Sequence, residues 1–201
     1  MADETPQSEE RTFLIIISGT ALMGLAAIGL SFVFNTPLGP QLTLDINAVL
    51  IGIIATTPLA AFLWWFSNTT LEHFAAFRRS QIKFFSEVGF TFTPRRIALM
   101  AIAAGISEEL LFRGVLQTWG AAFAPELLVI IVTNALFGMM HMRTALYAVI
   151  AGLVGMYLGV LYMLTDNLLA PIAAHALYDA VALEYTRRAV SHYNLETGDE
   201  A

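Results

Sequence analysis

Six stretches of this chain, 13–34, 44–66, 97–119, 127–141, 145–164 and 168–183, are too apolar to be loops or half-exposed faces of a water-soluble fold. Crossing a bilayer core takes about 20 mostly apolar residues per helix. The expectation is therefore all-α, a polytopic transmembrane bundle of about six spanning helices. Breakers stand where such a bundle turns: Pro37, Gly39 and Pro40 after the first stretch, Pro125 before the fourth, and Pro171 in the first turn of the sixth. Thr93 and Pro94 read as the N-cap and first residue of the third. Hydrophobic residues make up 57% and charged residues 13% of the chain, about half the charge of a soluble domain. Residues 1–201 form one membrane domain, with 1–12 and 189–201 as solvated tails. The tails carry much of the net charge of −6, through Asp3, Glu4, Glu9, Glu10, Glu196, Asp199 and Glu200, which argues against nucleic-acid binding. Cysteine is absent, so thiol catalysis and cysteine-ligated metals are excluded. The acidic start is unlike a cleaved secretory leader, and the first apolar run is read as a retained helix.

Basic residues set the orientation, because Lys and Arg flanking spans stay on the cytoplasmic side. Arg11, Arg78, Arg79, Lys83, Arg95, Arg96, Arg143, Arg187 and Arg188 fall on one face of a six-span chain, which puts both termini in the cytoplasm. Between the second and third spans, Leu71, Phe74, Phe77, Ile82, Phe85 and Val88 recur at near-helical spacing, with Arg78, Arg79 and Lys83 on the polar side. That pattern predicts one interfacial helix, an anchor or a gate to substrate. Gly152, Gly155 and Gly159 on the fifth span are read as packing alone.

Ionisable groups inside a span each cost about 2.5 to 3.5 kcal/mol, so they face a cavity and find partners. The third span carries Glu108, Glu109 and Arg113, the fourth ends at His141, and the sixth carries His175 and Asp179. Glu109 and Arg113, four apart, share a helix face and can pair. Glu108 points about 100° away and is left without a counter-charge, which suits a general base. Asn134, Phe137, Gly138 and His141 share another face. Asp179, four residues beyond His175, can accept an imidazole N–H and orient the ring. Each group alone would also fit a silent polar cluster, a cap or a hydrogen bond between turns. Their convergence on three helices reads as a site.

In order, the motifs are Glu-Glu-x-x-x-Arg at 108–113, Phe-x-x-x-His at 137–141 and His-x-x-x-Asp at 175–179. This set resembles the CAAX protease and bacteriocin-processing (CPBP, or Abi) family of intramembrane endopeptidases, over 94–183 as the catalytic helices. The resemblance implies hydrolysis of a peptide bond in a membrane-associated substrate, either CAAX-type or bacteriocin-like. It implies Glu108 as the base, His141 as its partner on the attacking water, and His175 with Asp179 as stabilisers of the tetrahedral intermediate. Glu109, Arg113 and Asn134 would support them. The family is similar to metalloproteases in some descriptions and to glutamate enzymes in others, so Glu108, His141 and His175 are also the zinc ligands if a metal takes part. Asparagine is common at the last motif position. Ionised Asp179 can only accept, so it is expected to orient His175, with the imidazole as donor.

The implied partners are membrane lipid and a membrane-associated peptide or protein, and the implied location is a bacterial plasma membrane. A proton relay or transporter would use the same residue types but needs polar groups along the whole path, and a non-catalytic immunity or scaffold protein would keep the bundle without turnover. One mismatch stands in the sequence. Glu108 lies about 17 Å along its span, whereas His141 is two residues from loop residue Arg143. Tilt, a late helix end or a cavity must bring them level.

Overall fold

The computed structural model describes residues 6–88 and 90–198. Asp3, Glu4, Asp199 and Glu200 of the tails lie outside the described residues, as does the side chain of Glu196. Every regular element among those described is helical. The order is α1 (Pro6–Val33), the single turn α2 (Leu38–Gln41), α3 (Ile46–Asn68), α4 (Glu72–Ser86), α5 (Pro94–Glu109), a π-helical segment (Leu110–Gln117), α6 (Thr118–Ala121), α7 (Glu126–Met140), α8 (Ala145–Thr165) and α9 (Leu169–Gly198). Gln7–Val33, Ile46–Asn68 and Ala145–Thr165 are long and apolar enough to cross a membrane, and Glu126–Met140 is a shorter apolar helix. The count of six therefore rests on the sequence pattern.

Burial is inverted relative to a soluble protein. Leu22, Leu25 and Phe32 on α1, Ile54 and Trp64 on α3, and Leu153 and Leu164 on α8 are exposed, as lipid-facing side chains are. Glu109, Arg113, Asn134 and Gln117 lie fully inside. Close packing with hydrogen bonding, rather than water exclusion, holds such helices together. Three crossings show it. A Cβ on Gly52 of α3 would strike the Ala170 carbonyl of α9, one on Gly105 of α5 would lie 3.0 Å from Ala176 of α9, and one on Gly138 of α7 would strike the Ala148 carbonyl of α8.

The π segment departs from the single straight helix expected over 97–119. Its widened turns set Arg113 and Gln117 against α8, where they donate to the carbonyls of Gly155 and Gly159. Those glycines thus do more than let helices pack, correcting the packing-only expectation: a Cβ at Gly159 would lie 3.0 Å from Gln117 Oε1 and one at Gly155 would meet Asn134 Oδ1. Such π turns are rare and often mark functional positions.

α4 is the helix expected between the second and third apolar stretches. Phe74 and Phe77 pack on Phe66 of α3, and Phe85 on Phe92, while Arg79 and Lys83 stay exposed. Arg78 leaves the expected polar side: its guanidinium turns inward and donates to the carbonyls of Phe66, at 2.8 Å, and Thr69, satisfying the C-terminus of α3. Thr93 caps α5 as predicted, accepting from the Arg96 amide at 3.3 Å, with Pro94 as the first helical residue. Glu9 and Glu10 are bound to Arg96 at 3.1 and 3.2 Å. α9 continues past 183, where Glu184 pairs with Arg187 and Arg188 at helical spacings of three and four.

Candidate active site

The close approach of α5 to α9 at Gly105 and Ala176 brings the end of α5 alongside His175. Glu109 and Arg113 form the expected pair, Nη1 to Oε1 at 2.8 Å, with neither side chain exposed. The second Arg113 nitrogen donates to Asn134 Oδ1 at 2.9 Å and to the Gly155 carbonyl. Phe137 carries the guanidinium over its ring at 5.4 Å and packs edge-on against Phe112, with 4.8 Å between centroids. These bonds make a charge pair this deep tolerable, with Glu109 Oε2 and Arg113 Nε the two buried atoms of the pair left without a partner.

Glu109 has a second task that the spacing did not reveal. Its Oε1 also accepts from His175 Nδ1 at 2.7 Å. The expected orienting group, Asp179, instead lies 3.6 Å from His175 Nε2. The reason is helical: Asp179 is one turn further along the same helix and reaches the outer nitrogen, while Glu109 arrives from α5 and reaches the inner one. Nε2 is thus left facing a gap bounded by Asp179 and Glu108, whose Oε2 is 3.8 Å away. Across the gap, His141 Nδ1 bonds the Phe137 carbonyl at 2.8 Å, and its Nε2 stands 3.9 Å from the same Glu108 oxygen. These separations exceed a direct hydrogen bond and leave the buried Glu108 Oε2 without a partner.

The mismatch in depth has a structural answer. α7 has 15 residues, about 22 Å at 1.5 Å per residue, less than the roughly 30 Å of a bilayer core. It ends short, with His141 as its C-cap, and in the loop beyond Phe84 of α4 stacks on the Arg143 guanidinium at 4.0 Å. A cavity of about 520 Å³ opens between α4 and the bundle. His141, Asp179, Tyr147 and Tyr178 are among its polar residues, with Arg78 and Gln81, and Phe62, Phe66, Phe77, Ile82, Phe85 and Leu183 are among its apolar ones.

A zinc ion bound at about 2.0 to 2.1 Å in tetrahedral geometry sets its ligand atoms about 3.4 Å apart. Glu108 Oε2 is 3.8 and 3.9 Å from the two imidazole nitrogens, and among the described residues no group of three His, Asp or Glu side chains is arranged as a metal site. As they stand, Glu108, His141 and His175 are set wider than a zinc set, at separations that one bridging water would span with hydrogen bonds of ordinary length.

The family model of type II CAAX prenyl endopeptidases, Rce1-like, matches residues 91–181. Over those residues the chain is similar to that family. The match takes in all three motifs and coincides with the resemblance drawn from them. At the level of the family it supports an intramembrane protease of the CAAX type. No curated protein and no solved structure matches the chain. The Rce1-like segment supplies Glu108, Glu109, Arg113, Asn134, His141, His175 and Asp179, whereas α1, α3 and α4, outside the match, contribute much of the cavity's apolar wall.

Gln117 and Tyr147 are site neighbours that sequence reasoning passed over. Gln117 falls four residues after Arg113, a signal open to view but uncharged. Tyr147 opens an apolar span and counts there as hydrophobic.

Proposed function

We propose that the protein is an intramembrane endopeptidase that hydrolyses a peptide bond near the membrane-anchored end of a CAAX-type substrate, with water activated by Glu108. What carries the reading is the unpartnered Glu108 Oε2 facing the Nε2 atoms of His141 and His175 across a gap one water wide. Glu108 takes a proton from that water as its oxygen attacks the scissile carbonyl carbon. His141, its ring fixed through Nδ1 on the Phe137 carbonyl, holds the water by Nε2. His175, fixed by Glu109, donates from Nε2 to the oxyanion. Collapse of the intermediate breaks the C–N bond, and the proton on Glu108 passes to the leaving amine. Asp179, beside His175 Nε2, favours the donating imidazolium by its charge. The cavity's apolar wall accommodates a lipidated or hydrophobic segment, and α4 lies over its entrance. The distribution of Lys and Arg supports both termini on the cytoplasmic side, and the compact build supports a bacterial plasma membrane.

The test is cleavage by the purified protein in liposomes, with a lipid-anchored CAAX peptide and the same peptide without its anchor. Cleavage of the anchored peptide with a clear preference over the free one is expected. Equal cleavage of both would remove the membrane from the specificity, and cleavage of neither would end the CAAX assignment. Because no step passes through a metal, prolonged chelation is expected to leave kcat unchanged. Activity lost to chelator and restored by zinc would contradict the glutamate mechanism.

A further inference from the structure

A tetrahedral oxyanion needs hydrogen-bond donors aimed at it, and acceptors dominate the gap. Glu108 faces it, Asp179 can only accept when ionised, and His141 has its Nδ1 committed to the Phe137 carbonyl. His175 Nε2 is the single donor so far assigned. Among the hydroxyl-bearing residues on the cavity wall, Tyr147 is the one in ring contact with His141, edge-on with 6.1 Å between centroids. Its phenol lies in the field of both the Glu108 and Asp179 carboxylates. Tyr147 is also firmly held. Its amide donates to Thr144 Oγ1 at 3.1 Å, in the first turn of α8, and Phe77 of α4 packs on its ring at 6.2 Å.

We infer that Tyr147 is a further catalytic residue, its phenol donating a hydrogen bond to the oxyanion opposite His175. The inference rests on the endopeptidase reading above. Tyr147 gains and loses no proton: the water proton goes to Glu108 and on to the amine, and the phenol only shares its hydrogen with the oxygen that becomes negative. Since the Tyr147 ring sits between His141 and Phe77 of α4, the donor comes into place only in the assembled bundle.

Tyr147→Phe keeps the ring against His141 and Phe77 and removes only the hydroxyl. In liposomes, with the full chain and the anchored peptide, kcat is expected to fall about 10²- to 10³-fold, as when one oxyanion donor is removed. KM should stay within about two-fold, with an unchanged unfolding midpoint. A peptide aldehyde, which forms a tetrahedral adduct with bound water, should lose affinity in the same proportion. Wild-type kcat in Tyr147→Phe overturns the inference, and so does a raised KM with kcat retained. If Tyr147→Phe does not fold, fluorotyrosine at 147, which keeps the ring and strengthens the donor, should change kcat and leave KM; an unchanged kcat overturns it. Glu108→Gln separates the two levels. A wild type that cleaves, a Glu108→Gln that does not and an intact Tyr147→Phe remove this inference alone, whereas a wild type that cleaves nothing removes the endopeptidase reading with it.

Discussion

At the residue scale, one carboxylate oxygen organises the site. Glu109 Oε1 accepts from Arg113 at 2.8 Å and from His175 at 2.7 Å, so the ion pair that makes the charges tolerable is also what sets the imidazole. Glu109→Gln is expected to keep the fold and lose activity by at least about ten-fold, because an amide can hold the ring less firmly and presents N–H groups as readily as oxygen; full activity would detach Glu109 from His175. Arg113→Met leaves the buried Glu109 with His175 as its one remaining partner, and should destabilise the protein by up to about 3 to 5 kcal/mol, read from reversible unfolding in detergent. The Glu109–Arg113 pair was legible in the sequence because helical spacing alone brings its members together. The Glu109–His175 contact was not, since it depends on how closely α5 passes α9.

At the element scale, glycines decide how near the helices come. Gly138 lies three residues before His141, and a Cβ there would meet the backbone carbonyl of Ala148, which has no flexible end to move aside. Gly138→Ala is therefore expected to push α7 from α8, displace His141 and reduce kcat more than ten-fold. At Gly29, where nothing lies within 4 Å, alanine should leave activity intact and favour the helix by up to about 1 kcal/mol. Equal effects at the two positions would refute the packing argument. Hydrophobic runs and proline breaks made α3, α7 and α8 legible within a few residues, while α1 begins at Pro6, seven residues before its apolar run and inside the stretch read as a tail. They could not show the π segment at Leu110–Gln117, whose Arg113 and Gln117 bond α8 carbonyls across the bundle. Nor could they show that Arg78 turns inward, because a periodic pattern assigns a face to the side chain's root and not to its charged end.

At the scale of the whole molecule, the bundle places a pocket with polar groups beneath the amphipathic helix α4. The chain lacks cysteine, so single cysteines report topology without background. Cysteines replacing Gln7 and Ser191 should react with an impermeant maleimide from the same face of oriented vesicles, and one replacing Phe123 from the other. Labelling of Gln7→Cys and Ser191→Cys from opposite faces would rule out the six-span arrangement. The central claim is narrower, that Glu108 activates the water. Its most direct measurement is the single-turnover cleavage rate of Glu108→Gln with substrate already bound. The account predicts retained binding with cleavage slowed about 10²- to 10⁴-fold; a rate close to wild type would contradict it.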